Sequence, residues 1–222
     1  ELSQLSEIEA NNSNIRVNFR CTDAPPSYAH GEALDILIEL VDTEYLVVLD
    51  SDCVFLMKGW DNYMISKLND EVKVIGTTYT VNQASKKYND FPAQFAVMFE
   101  TKVYRKLRIS CMPQNQSDKD TCWEWREKYL SNNYSGEVLK QINTRHDKTT
   151  VFGKIICVVF YTDRNEIIAS HFGRGSSGGE YKYSTKFIAK LPILGKYIRR
   201  HIANKEKKDW IIKCKKIIDK SN

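Results

Sequence analysis

The apolar positions change their spacing along the chain, and each change marks an element. Leu2, Leu5 and Ile8 recur at helical spacing and read as the later turns of a helix. Residues 15–20 (IRVNFR) alternate and are β-branched in part, which predicts a strand; Ala24-Pro25-Pro26-Ser27 then breaks the chain. Across residues 31–41, Ala33, Leu34, Leu37, Ile38 and Val41 form the apolar face of an amphipathic helix. Residues 45–49 (YLVVL) are continuously apolar and predict a strand buried on both faces, as in a parallel sheet with helices on each side. A helix is predicted over 60–68 and a strand over 72–78. Beyond Thr80 the pattern is less regular. It predicts a strand over 95–99, a short helix over 101–107, a helix over 120–130, and a hairpin of 155–161 with 167–171 turning at Thr162-Asp163-Arg164-Asn165. A glycine-rich loop follows, from Gly173 to Gly179.

Strands that alternate with helices predict an α/β protein with an open, mostly parallel sheet flanked by helices. No internal repeat interrupts it. This unit is expected to occupy residues 1–181, with a basic amphipathic helical segment over 182–222. That segment holds 13 Lys/Arg against 3 Asp/Glu, a balance of +10. The whole chain carries +5, so the preceding residues are mildly acidic at −5.

A chain of 222 residues with 42% hydrophobic residues can bury a core without covalent staples. Its six cysteines are scattered, which argues against a zinc site or a disulfide framework and for buried thiols in a reducing compartment. No apolar run approaches the ~18 residues of a membrane span. The opening ELSQLSEIEANNSN has neither a basic start nor an apolar run, so it does not read as a signal peptide. The sequons at Asn11, Asn115 and Asn133 are then read as chance matches. The expected location is cytoplasmic, or peripheral at the inner face of a membrane.

The first chemical signal is Asp50-Ser51-Asp52, directly after the apolar strand. In open α/β sheets ligands bind beyond the carboxyl ends of strands. Two carboxylates one residue apart can hold a divalent cation and leave most of its shell to water and phosphate oxygens, an arrangement that suits Mg2+ or Mn2+. The plainer alternative is a capping Asp beside a solvated one.

The stretch GEALDILIELVDTEYLVVLDSDCVFLMKGW resembles the core of the family-two glycosyltransferases. Ala33 and Asp35 lie on its helix, Glu44-Tyr45 at strand entry, and Asp50-Ser51-Asp52 at strand exit. The resemblance covers about residues 28 to 80 and implies a GT-A fold and a nucleoside diphosphate sugar as donor, UDP-linked in preference to GDP-linked. It implies that Asp52, with Asp50, holds the metal bridging the phosphates, and that Asp50 also contacts the ribose or sugar. Asp35 stands where the family commonly has an Asn, and is expected on the donor side of the site. His171 is similarly placed to a late metal-ligating His of GT-A enzymes. Arg174, in the glycine-rich loop, is expected over the diphosphate. The proton acceptor is expected at the start of an acceptor-side helix. Asp120 is the first candidate, ahead of Asp118 and Glu124; the alternative for Asp120 is an N-cap. Cys53 replaces a third acidic residue often seen after the motif. The family's first strand, with its nucleobase-binding turn, is expected to be missing before Ile15. The Q-x-x-R-W signature of processive synthases is absent, since Trp125-Arg126 has the reverse order. Single-sugar, inverting transfer to a glycan or lipid-linked acceptor is therefore the expected reaction.

Two other classes compete. A nucleotidyltransferase shares the sheet and the metal carboxylates, but its Gly-rich basic loop near the start is not seen. A non-catalytic module could bind nucleic acid through the tail, but no base-reading motif accompanies the charge, and nucleic acid is not the expected partner. For the tail itself, a packed helical pair with a solvated lysine face competes with a segment lying on an anionic membrane. Trp60 is expected in packing, and at most one of Trp123 and Trp125 can face an acceptor, because residues two apart on a helix diverge.

Overall fold

The structure is a computed structural model that describes residues 7–18, 22–80, 87–114, 119–173, 183 and 194–221. Residues 7–10 are helical, in keeping with the spacing of the opening segment. Residues 15–18 form no strand, contrary to expectation, and residues 19–20 of that predicted strand lie outside the described residues.

Helix α1 (Pro26–Glu39) begins with its proline in the first turn, where a missing N–H costs nothing. Strand β1 (Tyr45–Leu49) and the short β2 (Cys53–Phe55) follow, then α2 (Trp60–Lys67) and β3 (Val72–Gly76). Next come β4 (Ala96–Glu100), α3 (Thr101–Lys106), α4 (Glu124–Ser131), β5 (Ser135–Val138) and β6 (Lys140–Asn143). The hairpin β7 (Val158–Tyr161) and β8 (Ile167–His171) precedes the long α5 (Leu194–Ser221). Helix α4 starts later than its apolar pattern suggested. Thr121–Trp123 form a turn first, because Cys122 takes a left-handed conformation at φ 63° that no helix continues through.

Among the described residues the strands form two sheets. One has the order β1-β4-β3-β5, the other β2-β8-β7-β6. The expected mostly parallel sheet is not what forms. In the first sheet β4 inserts between β1 and β3 and runs antiparallel to both, leaving β3/β5 as its parallel ladder. The second sheet is antiparallel throughout. The fold is mixed α/β. Nor is β1 buried on both faces. Among the described residues it lies at a sheet edge, and Leu49 is 46% exposed. The doubly covered strand is β4, whose Ala96–Phe99 are almost fully buried.

Alternation along the first sheet feeds two cores. Val48, Val74, Val97 and Phe99 face α1, α3 and α4, meeting Ile38, Tyr104 and Trp125. Val47, Ile75 and Met98 face the other way, toward Met64 of α2 and Phe160 and Ile168 of the second sheet. A third core lies between the second sheet and α5, where Trp210 and Cys214, four residues apart on one helix face, pack with Leu56, Val159 and Phe172. Residues 194–221 of the tail form one packed helix, and the earlier part of the expected pair, residues 186–193, lies outside the described residues. Gly195 lies in its first turn and does not interrupt it.

Two short crossings join the sheets. Leu139, 3% exposed, separates β5 from β6. The other crossing, between β1 and β2, is Asp50-Ser51-Asp52.

Candidate active site

The turn after β1 is held on both sides by backbone bonds. The Asp50 amide donates to the Phe95 carbonyl at 2.8 Å, and the Cys53 amide to the Asp50 carbonyl at 2.9 Å. The Phe172 amide donates to the Asp52 carbonyl at 2.8 Å. That last bond, with the antiparallel pairing of Cys53 and His171, brings the end of β8 beside the turn. Asp52 and His171 are thereby adjacent although 119 residues apart. Their side chains lie 3.2 Å apart, Nε2 to Oδ1, and both are largely buried. The imidazole is stacked on Phe95 with 4.5 Å between ring centroids, which fixes its plane.

Asp50, Asp52 and His171 each offer a ligand atom, and these atoms lie within 4.8 Å of one another. Burial pushes the Asp50 carboxyl above the ordinary carboxylate range, and the neighbouring Asp52 adds to this. His171 and His30 act against it. Two carboxylates and one imidazole that converge with too little positive charge around them suit a hard or borderline divalent cation, with room left for oxygen ligands.

A continuous wall of side chains leads away from this cluster. Tyr79 meets Phe95 edge-on at 5.2 Å, and its hydroxyl donates to Gln94 Oε1 at 3.1 Å. The Lys87 ammonium sits over the Tyr79 ring at 4.6 Å and binds Asp120 Oδ2 at 2.9 Å. Burial raises the Tyr79 phenol far above its usual range, and the charges of both Asp120 and Asp50 push it the same way. Asp120 thus shares one wall with the cation cluster. Burial opposes ionisation of Asp120, but the Lys87 ammonium and the Thr121 amide outweigh it and hold the carboxyl below the ordinary range. Its Oδ1 accepts from the Thr121 amide at 2.9 Å, a local turn bond. His30, on α1, lies 4.0 Å from Asp50 and also acts on Asp120.

The other expected site residues fall as follows. Asp35 is not in the cluster; its two oxygens accept from the Ser110 hydroxyl and the Cys111 amide, each at 2.7 Å. There it helps seat α1 on the segment 109–112, where Gly31 approaches so closely that a Cβ would lie 2.6 Å from the Cys111 carbonyl oxygen. Glu124 accepts from the Ser110 amide at 3.0 Å. Arg174 and Asp118 lie outside the described residues. Trp125 is buried and donates to the Tyr104 hydroxyl at 3.1 Å, while Trp123 is partly exposed with its indole N–H on the Met112 carbonyl. Trp60 stacks on Phe55, as a packing residue does. His30, Tyr79, Lys87 and Phe95 were not singled out by the sequence. A search for the chain's four histidines would have raised His30, whereas the others follow only from the return path of the chain into β4.

The model of glycosyl transferase family 2 matches residues 15–140, more than half of the chain. The chain belongs to glycosyl transferase family 2. Comparison with curated proteins and with solved structures finds no match. As a family-two glycosyltransferase the chain is expected to take a nucleotide sugar and an acceptor. The match contains Asp50, Asp52 and Asp120 but ends before His171, so the third residue of the glycosyltransferase's candidate cluster comes from the hairpin β7–β8 beyond it. Among the described residues, no helix of the glycosyltransferase is long and apolar enough to cross a membrane.

Proposed function

We propose that this chain transfers a single sugar from a nucleoside diphosphate sugar to an acceptor hydroxyl, with inversion at the anomeric carbon. The observation that carries the reading is the convergence of Asp50, Asp52 and His171 at the crossing between the two sheets in a family-two chain. These three residues would hold Mn2+ or Mg2+, which when bound supplies positive charge against a diphosphate leaving group. Arg174, two residues beyond the glycosyltransferase's Phe172, would add a guanidinium on phosphate oxygens. Asp35 supports the donor side through α1 and the 109–112 segment.

Asp120 is the proposed base. Lys87 helps hold its carboxyl below the ordinary range and fixes one oxygen. The acceptor oxygen attacks the anomeric carbon from the face opposite the diphosphate. The bond to the diphosphate oxygen breaks with its electron pair, and the acceptor proton passes to Asp120. The acceptor is a glycan or a lipid-linked sugar, and the donor UDP-linked rather than GDP-linked.

The test is sugar release from a panel of UDP- and GDP-sugars with manganese. His171→Ala should retain the fold and raise the manganese concentration required by at least the roughly ten- to hundredfold that loss of a residue behind a metal ligand costs. Asp120→Asn keeps the local bond to Thr121 and should lower turnover about a hundredfold or more. Wild-type turnover in that variant removes Asp120 as base.

A further inference from the structure

Helix α5 has a face that the core does not use. Its inner side buries Ala203, Trp210 and Cys214. Turned away from it by about a quarter to a half turn, Tyr197 is 69% exposed, Ile212 52% and Ile211 37%. At 3.6 residues per turn, Tyr197, Lys208 and Lys215 fall in one row, with Ile211 and Ile212 on its two sides. Arg200, Lys205 and Lys216 flank this strip and are exposed. The helix as a whole holds ten Lys/Arg against three Asp/Glu.

Cations and isoleucines interleaved on one solvent face make a specific demand. Phosphate contacts alone would use the lysines and leave Ile211 and Ile212 in water. The boundary between headgroups and acyl chains takes both: apolar side chains enter it, lysine stems lie along it, and their ammonium groups meet anionic headgroups. A tyrosine suits the same depth. We infer that the outer face of α5 docks this protein on an anionic phospholipid surface, with Ile211 and Ile212 inserted and Lys208 and Lys215 on the headgroups.

The inner face of α5 ties this docking to the site. The Trp210 indole N–H donates to the Ser170 hydroxyl at 3.0 Å, and its ring packs on Phe172 at 5.7 Å. Those two residues flank His171. A bilayer under α5 would then hold the cation cluster at a set height above the lipid, where a lipid-linked acceptor presents its headgroup. That use of the docking rests on the glycosyl-transfer reading above, whereas the lipid contact itself does not.

The experiment is co-sedimentation of the full chain with phosphatidylcholine vesicles, alone or with about one-third phosphatidylglycerol, across a salt series. The expected result is pelleting with the anionic vesicles at low salt, released as salt rises. The double variant Lys208→Glu/Lys215→Glu should lower partitioning about a hundredfold or more, and Ile211→Ser/Ile212→Ser about tenfold or more. Lys208, Lys215 and Ile212 face solvent and Ile211 is 37% exposed, so melting temperatures should stay close to the wild type. Donor-sugar hydrolysis without vesicles should be unchanged, so that failure of docking and failure of the proposed reaction are read separately. Absence of pelleting with anionic vesicles at low salt overturns the inference. Wild-type partitioning by the isoleucine variant does so too, and assigns the face to plain charge contacts such as those with a nucleic acid.

Discussion

Replacing Trp210 with alanine should weaken both the fold and the cation site, through one set of contacts. Trp210 is 5% exposed and lies in the core between α5 and the second sheet. Removing a buried indole costs about 3–5 kcal/mol, the transfer term plus the cavity left behind. For a chain of 222 residues each kcal/mol moves the melting temperature by about 2–4 °C, so a fall of about 6–20 °C is expected. Trp210→Phe keeps much of the ring volume and loses the N–H bond to Ser170. The Ser170 hydroxyl still donates to the Val158 carbonyl at 3.2 Å, so no group is stranded, and the cost should be about 1–2 kcal/mol. Because Ser170 and Phe172 bracket His171, slackening them should also shift the manganese requirement upward, about tenfold for the alanine variant, the scale seen when a supporting residue behind a metal ligand is lost. The assays are thermal unfolding by circular dichroism and manganese titration of sugar release. If the alanine variant does not fold, the phenylalanine variant carries the test. An unchanged melting temperature in Trp210→Ala refutes the packing argument, and a large melting shift with an unchanged manganese midpoint refutes the link to His171.

Other perturbations probe the charges and the sheet. Burial holds the Asp50 carboxyl above its usual range, so its ionised form opposes folding: the contribution it makes is present below the unfolded pKa and lost as pH rises through the folded one. Without a cation, Asp50→Asn should therefore gain stability relative to the wild type as pH rises out of the acid range. Manganese should raise the melting temperature of the wild type and not of this variant; differential scanning calorimetry reads both. Lys87→Met removes the ammonium that holds the Asp120 carboxyl low, and the acid limb of the pH–rate profile should move to higher pH. An unmoved limb would place the titrating group elsewhere. At Gly76 an added Cβ would lie 2.5 Å from the Ala96 carbonyl oxygen, across the β3/β4 ladder. Gly76→Ala should cost about 1–3 kcal/mol in chemical denaturation, and a neutral result would contradict the tightness of that pairing.

Much of the architecture was legible as spacing. The helix that seats Leu34 and Ile38, the strand YLVVL and the hairpin around residues 162–165 all appear where the pattern placed them, although Ala33 and Leu37 of the expected helix face are exposed. Strand direction was not, because an apolar run records burial and not polarity. Ala96–Phe99 fits a parallel or an antiparallel slot equally well. β5 and β6, SGEV and KQIN, were missed because their composition is that of turns; they are strands because Leu139 anchors them between the sheets. In the site, Asp50, Asp52 and His171 were expected together by resemblance, and they do come together. Lys87 was invisible: its role depends on a contact across 33 residues with Asp120 that no local signal encodes.

The turn at residues 50–52 belongs to neither sheet, and its two carboxylates face a histidine anchored in the second. An ion gripped there would act as a rivet across a seam that otherwise carries repelling charges. Its arrival should slow amide exchange in β1 and β8 alike, and a nucleotide that follows would meet a frame already stiffened, with less freedom left to lose.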